Sequence, residues 1–378
     1  MRFPEFSGEW KKYSFNDIAQ YKKGPFGSAL KKEIFVPKSA DSVKIYEQQN
    51  AIKKDWELGR YYISRDYFIN HMQQFIVEAG DIIVSCAGTI GEIYELPPNA
   101  VSGVFNQALM RVRINATLID KNIFIKFFSS MIDSFSKIYS NGSAIKNIPP
   151  FADLKKTNVF LPTQNEQYKI SRLISLLDER IATQNKIIED LKKLKSAIYQ
   201  KLFSNMQGEE CSLSELAEII KGQQINGSEL SNSGKYYVMN GGIVPSGFYD
   251  SYNTEADTIS ISEGGNSCGY VQYNSSEFWS GGHCYTLRIK STAPILTQFL
   301  FHFLKWKEPD IMTLRIGSGL PNIQRKDLSK VGIIVPSLDR QEQLITLLTT
   351  FQMKIENEEM YAVNLDKQKQ YLLRQLFI

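Results

Sequence analysis

Three histidines and four cysteines are the residues with which this chain could hold a metal or attack a substrate, and their spacing favours neither. Cys268, His283 and Cys284 come nearest to a zinc set. An adjacent His-Cys with one further Cys lacks the paired spacing of tetrahedral sites, so packed residues near a sheet are expected and no metal site is assigned. Cys86 and Cys211 complete a set without any CxxC pair, which fits reduced, packed thiols better than disulfides. His71 and His302 have no nucleophile or ligand partner in view, and core or surface roles are expected for both. The stretch from Gly227 to Lys235 ends in Gly-Lys-Tyr, the wrong spacing for a phosphate-binding loop. A loop that holds an amine for methyl transfer needs Asn or Asp before Pro-Pro-aromatic. Ile148-Pro-Pro-Phe151 has Ile there and reads as a turn between helix and strand. Pro309-Asp310 is followed by no acidic-x-Lys sequence of the nuclease kind. No catalytic residue is assigned, so the function to look for is binding.

The bulk properties narrow what is bound. At 378 residues the chain exceeds one ordinary core, so two or more domains are expected. Hydrophobic residues at 43% and charged residues at 22% fit a folded globular protein. No run approaches the roughly 18 apolar residues of a membrane span. Met1 to Trp10 has no apolar h-region, so the cytoplasm is the expected location and no membrane partner is expected. A net charge of +4 and a pI near 8.6 permit nucleic acid without demanding it. Were DNA the partner, the basic side chains would have to gather on one face.

The elements that must position a binding site come from a duplication. Asp153 to Pro162 aligns with Asp327 to Pro336 at a spacing of 174 residues, which holds through Gln167 and Gln341 and through Lys195 and Lys369 to Phe203 and Phe377. Upstream, Gly142-Ser143 and Asn147-Ile148 match Gly317-Ser318 and Asn322-Ile323 at 175, and Ser14 to Ala19 matches Ser212 to Ala217 at 198. The first half therefore carries about 24 extra residues in its middle. After each proline the apolar residues recur in steps of four and three. Ile170, Ile174, Leu177, Ile181, Ile188, Leu191, Ile198 and Leu202 form one seam; Leu344, Leu348, Phe351, Ile355, Ala362, Leu365, Leu372 and Leu376 form the other. Gln184 and Lys195 interrupt the first seam, Glu358 and Lys369 the second, at equivalent positions. Each seam predicts a rod of roughly 40 residues and about 60 Å at about 1.5 Å per residue. Antiparallel pairing of the two rods buries both seams, with the polar positions fixing register. The alternative is two amphipathic helices, each lying on its own core. The regions near 1–150 and 208–325 alternate β-branched runs with glycine, as in Phe75 to Ser85 before Gly88-Thr-Ile-Gly91 and Asp257 to Ser262 before Gly264-Gly265, and predict sheets with short helices near Lys121 to Tyr139 and Leu296 to Lys305.

Asn147-Ile148-Pro, Leu161-Pro162, Glu166-Gln167, Leu177-Asp178 and Leu191 to Lys195 through Leu202-Phe203 are similar to the conserved region of type I restriction-modification specificity subunits. Arg2 to Phe6 with Gly8-Glu-Trp10 resembles their N-terminus, and Gly80 to Ser85 with Gly88 to Gly91 resembles a segment of their target recognition domains. The second copy departs, because Asp257 to Ser262 lacks both the preceding Gly and the Gly-Thr-Ile-Gly ending. The resemblance covers essentially the whole chain. It implies an α+β fold with target recognition domains at 1–150 and 208–325 and conserved helical regions at 151–207 and 326–378, the helices packed as an antiparallel coiled coil with pseudo-two-fold symmetry. It also implies a non-catalytic subunit that reads a split site in double-stranded DNA. Two methyltransferase subunits binding S-adenosylmethionine, and restriction subunits using ATP and Mg, would be its partners, with no cofactor in this chain.

On that reading, polar and basic loop residues are the candidates for DNA contact. In the first half these are Lys22, Lys23, Ser28, Lys31, Lys32, Gln48, Gln49, Asn50, Asn106, Gln107, Asn141 and Ser143. In the second they are Gln223, Gln224, Asn226, Asn240, Asn266, Arg315, Ser318 and Asn322. Solvated turns need no function, so a structural adaptor and a stand-alone DNA-binding regulator stay open as alternatives.

Overall fold

A computed structural model describes residues 3–139, 151–317, 319 and 321–377. The chain divides into two compact units, one of residues 1–180 with 368–378 and the other of 181–367. In the first, Lys11–Ser14 pairs antiparallel with Asn158–Leu161. A four-stranded antiparallel sheet has the order Ala19–Lys23, Leu109–Ile114, Ile82–Ser85, Ile93–Glu95. A second sheet has the order Phe35–Val36, Tyr62–Ser64, Ser42–Tyr46, Gly103–Phe105, Ile76–Val77, in which Ser42–Tyr46 and Gly103–Phe105 are parallel.

The second unit repeats this plan. Glu209–Ser212 pairs with Gly332–Val335, and a four-stranded sheet has the order Ala217–Lys221, Cys284–Ile289, Thr258–Ser262, Val271–Asn274. Its smaller sheet has the order Phe248–Tyr249, Tyr236–Met239, Trp279–Ser280, the last two again parallel. The first unit's five-stranded sheet has this arrangement with Phe35–Val36 and Ile76–Val77 added at the edges, which places much of its extra length. In both units a capping box stops the ribbon strand. The Ser14 amide donates to Asp17 Oδ2 at 2.7 Å and the Ser212 amide to Glu215 Oε2 at 2.5 Å, and the chain turns through a short helix into the sheet.

Two 40-residue helices, Gln164–Phe203 and Leu338–Phe377, follow the ribbon strands. Pro162 and Pro336 end those strands, and one residue later Thr163 and Ser337 accept the first helical bonds from Gln167 and Gln341. Each core receives the start of one long helix and the end of the other. The first gathers Phe15, Tyr21, Phe124 and Phe128 around Ile170 and Ile174, with Leu373 against them. The second gathers Phe299 and Phe303 with Tyr199, Phe203, Leu344 and Leu348. In the first unit Leu177 and Leu372 are half-buried; the Leu376 side chain lies outside the described residues. In the second, Ile188, Leu344, Leu348, Ile355, Ala362 and Leu365 are buried, and Ile181, Leu191, Ile198, Leu202 and Phe351 are half-buried.

The polar seam residues pair across the antiparallel helices. Gln184 Nε2 donates to Glu358 Oε2 at 2.6 Å and Lys195 Nζ to Gln352 Oε1 at 2.5 Å within the second unit; Lys369 pairs with Asp178 within the first. The 174-residue spacing carries Lys195 and Gln352 onto Lys369 and Asp178, and Gln184 onto Glu358, so the pairing has the pseudo-two-fold form of the repeat. One further pair fixes each helix start to its globule. Gln167 is buried, accepting from the Asp120 amide at 2.7 Å and donating to the carbonyls of Leu118 and Pro162 at 2.9 and 3.0 Å. Gln341, also buried, accepts from the Leu296 amide at 2.8 Å and donates to the carbonyls of Pro294 and Pro336 at 2.9 Å each.

Candidate nucleic-acid interface

In each unit, the ends of both sheets bring four loops together on one backbone frame. In the first, the Gly24 amide donates to the Leu109 carbonyl at 3.0 Å, the Asn106 amide to Tyr46 at 3.1 Å, the Cys86 amide to Ala108 at 2.8 Å and the Gly91 amide to Ser85 at 2.9 Å. In the second, the same four bonds run from Gly222 to Cys284 at 2.8 Å, Gly281 to Met239 at 2.8 Å, Glu263 to His283 at 2.9 Å and Gly269 to Ser262 at 2.8 Å. Gly24 and Gly222 are required by close approach: a Cβ at Gly24 would meet the Asn106 carbonyl oxygen at 2.0 Å, and one at Gly222 the Gly281 oxygen at 2.2 Å. The strand registers place Asp257, φ 56°, where the first unit has Gly80, φ 85°. Asp is among the residues that tolerate this left-handed backbone, so the positive φ is kept without the glycine. Gly265 and Gly269, both at positive φ, likewise stand in for Gly88 and Gly91.

The side chains on that shared frame differ. Asn106, Gln107 and Ala108 in the first unit correspond to Gly281, Gly282 and His283 in the second, Glu47 to Asn240, and Cys86 to Glu263. Gln48 Nε2 donates to the carbonyls of Ala87 and Thr89 at 2.5 and 3.1 Å and fixes the loop through Gly88. Asn240 Oδ1 accepts from the His283 amide at 3.1 Å. In the second unit a fifth segment joins the rim. The Gly265 amide donates to Pro321 at 2.9 Å, and Asn322 forms bridges with Gly264 and Ile316, next to Arg315.

The structure sorts the sequence candidates. Lys23, Ser28, Lys31, Lys32, Gln49 and Gln107 are exposed in the first unit, as are Gln223, Gln224, Asn226, Asn266, Arg315 and Asn322 in the second. Asn106 and Asn240 are half-buried, and Asn106 Oδ1 accepts from the Ala108 amide at 3.1 Å. Asn322 Oδ1 accepts from Gln324 at 2.9 Å. Lys22 donates to Gln74 at 2.8 Å and lies 5.0 Å from the centre of the Phe75 ring. Asn50 is corrected: it is 1% exposed, donates to the carbonyls of Asp55 and Leu58 and accepts from the Glu47 amide, so it holds a loop and cannot reach a base. Asn141, Ser143 and Ser318 lie outside the described residues, as do Ile148 to Pro150. Sequence reasoning missed Phe26, whose ring is 90% exposed beside Lys22 and Lys23. An aromatic between Pro25 and Gly27 in a lysine-rich loop was the available signal.

Groups with reactive potential are packed away. Burial pushes the Cys86 thiol up to about 12 and the Cys284 thiol up to about 11, which keeps both protonated and poorly nucleophilic at neutral pH. Cys268 Sγ donates to the Glu263 carbonyl at 2.9 Å. His302 sits between helices, its Nδ1 2.7 Å from the Tyr199 hydroxyl, and burial lowers it to about 4. Among the described residues no group of three His, Cys, Asp or Glu is placed to hold a metal, and no helix is long and apolar enough to cross a membrane.

The family described as "Type I restriction modification DNA specificity domain" matches the chain at residues 7–193 and again at 207–364. A type I specificity subunit of Mycoplasma pneumoniae is 34% identical over 173 residues, 45% of this chain and 46% of that protein. One of Mycoplasma genitalium is 30% identical over 158 residues, 42% of this chain and 41% of that protein. The chain thus spans about half the length of the curated relatives it matches. Among solved structures, a type I restriction-modification S subunit from M. genitalium aligns over 100% of this chain and 99% of that one, with a TM-score of 0.60 at 21% identity. A chain from a study of complex assembly and conformational transition in the type I system aligns over 98% of each, with a TM-score of 0.65 at 15% identity. Both share the fold.

Proposed function

We infer that this chain, a member of the type I restriction-modification DNA specificity family, uses its two rims to read the two halves of a split site in double-stranded DNA. One observation carries the reading: two rims share four equivalent backbone bonds yet present different side chains. A conserved frame with exchangeable polar groups suits two different base sequences, since the frame can fix orientation while side chains select bases. The exposed lysines of the first rim and Arg315 of the second supply cations for phosphates.

The chain itself acts without catalysis. Two methyltransferase subunits that bind S-adenosylmethionine are its partners, seated along the paired helices, and restriction subunits that use ATP and Mg join the same assembly in the cytoplasm. Methylome sequencing of cells that express the chain with its methyltransferase partner tests this. The expected result is a split methylated motif that is absent without the chain; a competent methyltransferase and no new motif would favour the adaptor reading. Exchanging one globule should change one half of the motif and leave the other.

A further inference from the structure

Phe26 is the most exposed large apolar side chain among the described residues, at 90%. Leaving such a ring in water forgoes the stabilisation that burial would give. The loop that presents it is firmly held. Gly24 lies against the Asn106 carbonyl, Pro25 is buried, and the Ala29 amide donates to the Phe26 carbonyl at 2.9 Å to close the turn Gly27–Ala29. The neighbours of Phe26 in sequence, Lys23, Ser28, Lys31 and Lys32, are exposed, and Gln107 Nε2 comes within 3.9 Å of where a Cβ on Gly27 would lie. Glu33 is the single acid between Lys22 and Glu33, against four lysines.

We propose that Phe26 is a wedge that inserts between adjacent base pairs of the half-site read by the first unit, while the neighbouring lysines hold the flanking phosphates. This rests on the DNA-reading role above. A lone ring on a cationic, hydrogen-bonding rim suits a stacked, anionic polymer better than an apolar protein surface. Unstacking one step is unfavourable, and ring stacking with the added phosphate contacts offsets it. In the second unit the residue before the equivalent turn, Gly227–Glu229, is Asn226, a hydrogen-bonding side chain. The distortion therefore belongs to one half-site.

The experiment uses the full chain with its methyltransferase partner and duplexes that carry the motif found by methylome sequencing. 2-Aminopurine replaces single bases at every position except the methylated adenine, whose own extrusion would confuse the signal. The wild type should raise fluorescence several-fold at one step of the first unit's half-site. Phe26→Ala should abolish that rise and weaken binding roughly 10- to 100-fold, Phe26→Trp should keep both, and thermal unfolding should stay unchanged because the ring is in solvent. Equal binding and equal fluorescence in wild type and Phe26→Ala would overturn the wedge, as would loss of the methyltransferase subunit from the Phe26→Ala complex with DNA binding otherwise retained. A wild-type complex that binds no duplex would instead remove the DNA-reading role beneath it.

Discussion

Gln167 and Gln341 show how one side chain can join a helix to a globule. Each fills its amide valences with three backbone partners in a buried site. Gln167→Ala or Gln341→Ala should each cost about 2–4 kcal/mol, read from the urea midpoint, because the abandoned amide and carbonyls stay buried without partners. His302 makes a second residue-scale prediction. Its folded value of about 4 lies below the ordinary 6.5, so the folded state prefers it neutral. The unfolded chain takes up the proton first as pH falls. The contribution of His302 is therefore complete above about pH 6.5 and is lost progressively toward pH 4, by about 3 kcal/mol in all. Denaturation of the wild type at pH 7 and pH 5 should show about 2 kcal/mol of that loss, and His302→Gln should flatten it.

At the scale of elements, the seam tests whether polar pairs set register. Gln184→Leu alone leaves the Glu358 carboxylate beside an apolar side chain and should cost about 1–2 kcal/mol, whereas Gln184→Leu with Glu358→Leu should recover or exceed wild-type stability. The double variant should also lose discrimination among registers, read by disulfide trapping across the helices. These helices were legible in the sequence because the steps of four and three, the polar interruptions and the 174-residue spacing all recur without a gap. The sheets were legible as strand-rich stretches only. Between Ser14 and Gly142 the spacing slides from 198 to 175, so nothing in the sequence alone equates Asn106 with Gly281, or Gly80 with Asp257; strand register does. Asn50 was misread for a related reason, since its composition suits a solvent-facing loop while its side chain closes one from inside.

At the scale of the molecule, the second compact unit is one continuous stretch of chain, residues 181–367, and the first is split into 1–180 and 368–378 around it. Removing residues 368–378 should loosen the first unit, whose core Leu373 touches and whose Asp178 pairs with Lys369, and leave the second intact. Hydrogen exchange should quicken in Lys121–Tyr139 and in 164–180 while Cys284–Ile289 keeps its protection. The same division sets an order of events on the ribosome. A nascent chain that has produced residue 180 must add 188 more (368 − 180) before even the first residue of the other part of its first unit exists, roughly 10–40 s at about 5–20 residues per second, while the second unit has all its parts at residue 367. A late segment seals the core begun first, and the unit begun second is complete before the unit begun first.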